Sequence, residues 1–246
     1  MVAGHRIIRF SEDILEDLSA FTGVSQDKII NYFDNSRIDN TKYELFEIIK
    51  PGSRQELVWY YRAARAEFIH NATKYNDTNK GWPLINKWVK RGNAVLDYGA
   101  GTGQNCIYLW REIGAIPYYF EISILQAEFF KFRSKKRGFA ISIIEPYYLS
   151  PEGEYKFDPI KAIYGVYDVV LMSQVLEHIP EPEELLTHLV GTLTNDGLLL
   201  EDTPWSSHNY EALVSLAAIE FEYLMVNKLK MKKLSHGVWK KCSKSP

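Results

Sequence analysis

Two acids and a run of glycines in this chain are spaced for holding a ligand, and two histidines further along are placed for moving a proton. Asp97 closes the apolar run AVLD and is followed by Gly99, Gly101 and Gly103. Glycine admits backbone angles that other residues avoid and lets a ligand approach the main chain closely. The stretch AVLDYGAGTGQ, residues 94–104, therefore reads as a strand, a tight turn and the start of a helix. Glu121 follows 18 residues after Gly103, the place where a carboxylate accepts from both hydroxyls of a ribose in an open α/β sheet. His178 lies in SQVLEHIPEP and His208 in DTPWSSHNY, and imidazole is the side chain most used as a base near neutral pH. Plain structural roles compete at each position. They are a bare turn for the glycines, a helix cap for Glu121, a helix-terminus role for His178 and a solvent-facing loop for His208. His5, His70, His188 and His236 have no such context.

The elements that must position these residues follow from periodicity. From residue 94 onward strands and helices alternate, which predicts a parallel sheet with helices on both faces. Strands are expected over 116–120, 139–144, 167–172 and 198–201, with a helix over 182–193, a turn at Asn195, Asp196 and Gly197, and a closing antiparallel pair after a helix over 211–223. Residues 147–165 carry proline and glycine with little helical period, so a short helix or a loop is expected there. The expected ligand edge of such a sheet lies beyond the carboxyl ends of its strands, and Asp97, Glu121, Glu145, Glu177, His178 and His208 all follow strand ends. A dinucleotide fingerprint would need a third glycine at position 104, where Gln104 stands, and the P-loop Lys-Ser/Thr pair is absent. Pyrophosphate is not the favoured ligand.

Residues 11–90 read as helices. Ser11 and Ser25 each precede an acid and then an apolar set at helical spacing, Ile14, Leu15 and Leu18 in one case and Ile29, Ile30 and Phe33 in the other. An aromatic-rich helix is expected over 53–73, and Leu84, Ile85, Trp88 and Val89 mark another. This portion, residues 1–90, reads as a helical cap on a main domain of residues 91–246. Tyr60, Tyr61 and Tyr75 either pack in its core or line a pocket over the ligand.

Composition narrows the class. At 246 residues, 46% hydrophobic and 24% charged, the chain has the make-up of a globular domain with an appendage. A formal charge of -2 points to no polyanion partner. After Glu222 there are seven lysines and no acid, and without an aromatic ladder or arginine forks they read as a solvated face. Cys106 and Cys242 are the only cysteines, which gives no disulfide framework. The N-terminal 18 residues turn acidic before any signal-length apolar core, and no stretch reaches the ~18 apolar residues of a membrane span. A cytoplasmic location is expected.

Asp97, Gly99, Gly101 and Gly103 after an apolar strand resemble the first motif, D-x-G-x-G-x-G, of class I S-adenosylmethionine-dependent methyltransferases. The run V-L-E-H-I-P-E-P, residues 175–182, with Asp168 leading the strand before it, resembles a second motif of the small-molecule members. The resemblance spans about 150 residues, from 90 to the C-terminus. It implies a Rossmann-like, seven-stranded, mostly parallel sheet with helices on both faces, plus the N-terminal helical cap. It implies S-adenosyl-L-methionine as cofactor, with S-adenosyl-L-homocysteine as product, held by Asp97, Gly99, Ala100, Gly101 and Gly103. Glu121 would hold the ribose and Glu145 would meet the adenine, with Ile122, Ser173 and Gln174 as further cofactor-binding positions.

Ubiquinone-pathway O-methyltransferases resemble this chain at E-x-x-E-H, where two glutamates and a histidine hold a divalent metal. Here the positions read Gln174, Glu177 and His178. Gln is a neutral ligand and hard cations prefer carboxylates, so no metal is expected. The implied activity is methyl transfer to a small-molecule substrate, most readily at oxygen, with His178 or His208 as base. Alternatives are action on RNA or a peptide through the lysine-rich end, and a non-catalytic module that binds S-adenosylmethionine. The N/D-P-P-Y/F signature of base-amino methyltransferases is missing after the fourth strand, so nucleic acid is not the expected substrate. Neither a membrane nor a defined oligomer is indicated.

Overall fold

Residues YDVVLM, Tyr167–Met172, form a strand apolar on both faces, as expected of the centre of a parallel sheet covered on either side. Val169 and Leu171 join one core cluster and Val170 and Met172 the other, the two-residue period of a pleated strand. The same split holds next door, with Val95 on the first side and Leu96 and Tyr98 on the second. The computed structural model describes residues 12–35, 82–179, 182–203 and 218–242. His208, Tyr60, Tyr61, Tyr75, the helix expected over 53–73 and most of that expected over 211–223 lie outside them.

In chain order the described elements are α1 (Glu12–Thr22), α2 (Gln26–Asn35), α3 (Trp82–Trp88), β1 (Ala94–Tyr98), α4 (Gln104–Tyr108), β2 (Ile116–Phe120) and α5 (Ile124–Arg137). Then come β3 (Ser142–Ile144), β4 (Tyr147–Leu149), β5 (Tyr155–Phe157), β6 (Tyr167–Met172), α6 (Pro182–Thr192), β7 (Leu193–Glu201), α7 (Ala218–Tyr223), β8 (Met231–Ser235) and β9 (Val238–Lys241). Seven strands make one sheet in the order β3-β2-β1-β6-β7-β9-β8. The pairs β3–β2, β2–β1, β1–β6 and β6–β7 are parallel, and β9 runs antiparallel to both β7 and β8. This is the expected Rossmann-like sheet with its closing antiparallel pair. The chain reverses its direction of travel across the sheet between β1 and β6, and the carboxyl ends of those two strands frame the crevice where such sheets bind ligands.

On one face Leu185, Leu186, Leu189 and Val190 of α6, with Phe221, Leu224 and Met225 around α7, cover the sheet. On the other, Ile85 and Val89 of the α3 segment pack with Leu109 and Val238, while α4 and α5 bring Cys106, Ile107, Ala127 and Phe130 over Tyr119. The described part of the N-terminal helical region packs outside α5, with Ile14, Leu18 and Ile29 closing around Phe129.

Three local differences from the sequence-based expectation have physical reasons. Strand β3 is shorter than 139–144 because the Phe139 N–H still closes the end of α5 on Ser134 O, leaving only Ser142–Ile144 to pair with β2. The stretch after it forms neither helix nor plain loop but a hairpin, β4 with β5, turned by Ser150 and Gly153. Strand β7 begins at Leu193, opposite Tyr167, yet the next pair is Val169 with Leu198. The expected turn at residues 195–197 survives as a bulge inside this strand, with Asp196 at φ 67°.

Candidate cofactor-binding and active site

Strand β1 carries, one residue before its end, a carboxylate almost wholly shut off from water. Asp97 is 1% exposed and accepts the thiol of Cys106 at 3.4 Å. Burial is the main cause that lifts its pKa to about 7, the hydrogen bond from Cys106 opposes the rise, and the neighbouring carboxylates of Glu121 and Asp202 add to it. The Cys106 thiol is pushed up in turn, by burial and then by Asp97. A thiol held this way is a donor, not a nucleophile.

The chain then turns through Gly99, Gly101 and Gly103, at φ 74°, 56° and 78°. Left-handed angles like these strain any residue with a Cβ. Space makes the same demand. A Cβ at Gly99 would stand 2.6 Å from Val175 Cγ2, one at Gly101 would stand 2.9 Å from Gln126 Oε1, and one at Gly103 would enter the Phe130 ring. The turn is tied down at every step. Gly99 and Ala100 both donate to Phe120 O at 2.9 Å, Gly103 donates to Ala100 O at 2.9 Å, and Tyr119 Oη donates to Gly101 O at 2.7 Å.

Glu121, 8% exposed, closes the turn from the end of β2. Its Oε2 accepts the Gly101 N–H at 2.8 Å and its Oε1 accepts the Ser123 N–H at 2.7 Å. Burial raises its pKa, while the backbone donors and the nearby His178 pull it back. Ile122 is half-buried against the larger core cluster. The expected acid after β2 is thus in place, and its carboxylate both holds the glycine turn and caps the entry to α5.

Beyond β6 the chain folds back at once. Gln174 takes φ 54°, and Asp202, just past β7, holds that turn. Its Oδ1 accepts the Gln174 N–H at 2.9 Å, its Oδ2 accepts Ser173 Oγ at 3.2 Å, and its carbonyl accepts Gln174 Nε2 at 2.6 Å. His178, half-buried, ends the 3-10 turn Leu176–His178 with its N–H on Val175 O at 2.9 Å. Asp97, the glycine turn, Glu121, Ser173, Gln174 and His178 therefore gather at the carboxyl ends of β1, β2 and β6. Glu145 follows β3 with its side chain 52% exposed and pairs with Lys131 of α5 at 2.7 Å. His208 lies outside the described residues.

Asp202 is the site residue that sequence reasoning missed. It stands in the DTPW stretch after the fifth parallel strand, where chain order alone puts it at the carboxyl edge. Asp168, by contrast, sits at the opposite edge, where Oδ2 accepts the Ala94 N–H at 2.9 Å and Asn93 Nδ2 at 3.3 Å and ties β6 to the start of β1. Among the described residues no group of three or more His, Cys, Asp or Glu side chains is placed to hold a metal ion. Nor is any described helix long and apolar enough to cross a membrane.

The glycine turn, strained by a Cβ at each of its three glycines, the paired carboxylates and the crevice between β1 and β6 fit an adenosyl cofactor. A sequence-family profile described as a methyltransferase domain matches residues 58–233, well over half of the chain. No curated protein matches it. Similar folds include geranyl diphosphate C-methyltransferase from Streptomyces coelicolor, at 10% identity over 75% of this chain and 68% of that one, TM-score 0.52. Haemonchus contortus phosphoethanolamine N-methyltransferase 2 shows 15% identity over 62% of this chain and 36% of that one, TM-score 0.50. The YcgJ protein of Bacillus subtilis shows 11% identity over 63% of this chain and 68% of that one, TM-score 0.50. The chain spans less than half the length of several of the solved proteins it matches. With the sheet order and the profile match in agreement, the chain belongs to the methyltransferase domain family.

Proposed function

We propose that this protein is an S-adenosylmethionine-dependent methyltransferase acting on a small molecule, at oxygen, with His178 as the base. The observation that carries this reading is the clasp of the glycine turn by Glu121, which fixes a backbone cradle at the one edge of the sheet where Asp97 and His178 also converge. S-adenosylmethionine, when bound, supplies a methyl group already activated on a sulfonium. What remains for the chain is to orient and to move a proton. Alignment of two reactants is worth ~7–11 kcal/mol of barrier. Asp97 and Glu121 give the cradle its acidic groups, Ser173 and Gln174 wall it on the β6 side, and Glu145 borders the adenine end. His178 takes the hydroxyl proton of the acceptor, a contribution of ~100–10,000-fold. His208 is the second candidate for that task.

The solved proteins of similar fold include methyltransferases named for small molecules, geranyl diphosphate in one case, which agrees with this choice of acceptor class. Action on RNA through the lysine-rich end is less well supported. Lys228 pairs with Glu183, Lys233 with Glu222 and Lys240 with Asp196, and Lys241 Nζ donates to Leu193 O. Calorimetric titration with S-adenosylmethionine and S-adenosylhomocysteine tests the cofactor, and transfer of a labelled methyl group to a panel of hydroxyl and amine acceptors tests the reaction. Micromolar binding, about -8 kcal/mol, followed by turnover on hydroxyls supports the reading. No binding of either ligand removes it, and turnover on amines alone moves the acceptor to nitrogen.

A further inference from the structure

Arg133, in the middle of α5, is 2% exposed and reaches in two directions. Its Nε donates to Asp17 Oδ2 at 3.1 Å, and its other arm, Nη1, donates to the carbonyl of Thr102 at 3.2 Å, inside the glycine turn. Asp17 is itself fully buried, on the inner side of α1, 116 positions away in sequence. Arg137 and Lys136 also reach Asp17, at 2.8 and 3.0 Å from Oδ1, and both go on to Glu16. Burial would raise the Asp17 carboxyl, yet these three cations hold it below its usual value. A rigid guanidinium fork suits such a bridge because each arm keeps its own geometry, which a lysine point charge cannot reproduce.

We propose that Arg133 is a positioning residue for the cofactor turn and that α1, through Asp17, belongs to the cofactor-binding apparatus. This role rests on the methyltransferase reading of the turn. With Tyr119 on the Gly101 carbonyl and Arg133 on the Thr102 carbonyl, two successive carbonyls are drawn back into the protein. The Gly101 N–H stays aimed at Glu121, and the turn keeps one shape. Docking of α1 fixes the Arg133 fork, so α1 and the turn share one equilibrium. Linkage then requires reciprocity: if docked α1 favours cofactor binding, bound cofactor must favour docked α1.

Two measurements test this. In the first, hydrogen exchange of the unaltered protein is followed with and without S-adenosylhomocysteine. The expected result is slower exchange in residues 12–22 together with 99–106, and protection confined to 99–106 overturns the proposal. In the second, calorimetry compares Arg133→Lys, Asp17→Asn and Asp168→Asn, the last at the far edge of the sheet. The first two should raise the Kd for S-adenosylhomocysteine about tenfold or more, while Asp168→Asn lowers Tm but leaves Kd within about twofold. A folded Arg133→Lys with unchanged Kd, or an equal loss in Asp168→Asn, overturns it. Failure of the unaltered protein to bind S-adenosylhomocysteine would instead sink the methyltransferase reading itself.

Discussion

The carboxylate of Glu121 reaches back 20 residues to accept the backbone N–H of Gly101 at 2.8 Å, so one acid at the end of β2 sets the shape of the turn at the end of β1. Each of its oxygens takes one backbone N–H. Hydrogen bonds to a charged group contribute about 1.5–3 kcal/mol each. Glu121→Gln would present an amide N–H to one of those donors, and Glu121→Ala would leave both unanswered. Either change should weaken S-adenosylhomocysteine binding by about 10- to 100-fold, read by calorimetry; an unchanged Kd in both variants would show that the clasp is not what shapes the site.

The three glycines are not equivalent. A Cβ at Gly103 meets the Phe130 ring, which is itself stacked on Tyr119 at 4.0 Å between centroids and has no room to retreat. At Gly101 the obstacle is the end of the Gln126 side chain, which can swing away. Both positions carry the left-handed backbone penalty of about 1–2 kcal/mol. Gly103→Ala should therefore lower Tm well beyond the few degrees expected for Gly101→Ala, and the ranking is checked by thermal denaturation of the two variants side by side.

Asp97 gives the protein a pH signature. Its pKa is 3.8 in the unfolded chain and about 7 when folded, so between those values the folded state holds a proton that the unfolded chain has released. Stability from this group is highest below pH 4, declines as pH rises to about 7 and is level above that. The full span is on the order of 4 kcal/mol. Asp97→Asn keeps an acceptor for the Cys106 thiol but cannot ionise. It should melt higher than the parent at pH 8, with the gap closing toward pH 4.5, while binding the cofactor more weakly. A Tm difference that stays constant across that range would contradict the assignment.

How much of this was legible follows from which residues report locally. The strands at 116–120 and 167–172 were readable to the residue because a strand covered on both faces is dominated by apolar side chains, PYYF in one case and VVLM after Asp168 in the other. The glycine turn was readable because few residues tolerate its backbone. Residues 147–157 gave no such signal, since Tyr147–Leu149 and Tyr155–Phe157 pair only with each other in three-residue strands, too short for a period to show. Arg133 and Asp17 were invisible for a different reason. Each looks like an ordinary surface charge of an amphipathic helix, and only the packing of Phe129 between Ile14 and Leu18 puts them face to face in a dry interior. Asp202 likewise matters through partners 28 residues upstream.

That last contact makes a prediction of its own. Gln174 holds φ 54°, a conformation costly for a residue with a side chain, and the Asp202 carboxylate on its N–H is what secures it. Asp202→Ala should let the turn relax, lowering Tm by several degrees and kcat/KM by about tenfold or more, because Ser173 and Gln174 line the same crevice. Glycine at 174 adopts the angle without strain. The double variant Asp202→Ala, Gln174→Gly should consequently recover part of the stability that Asp202→Ala loses, giving a coupling of about 1 kcal/mol between the two sites in a double-mutant cycle. Additive losses would show that Asp202 does not act through the Gln174 turn, whose backbone would then need no external support.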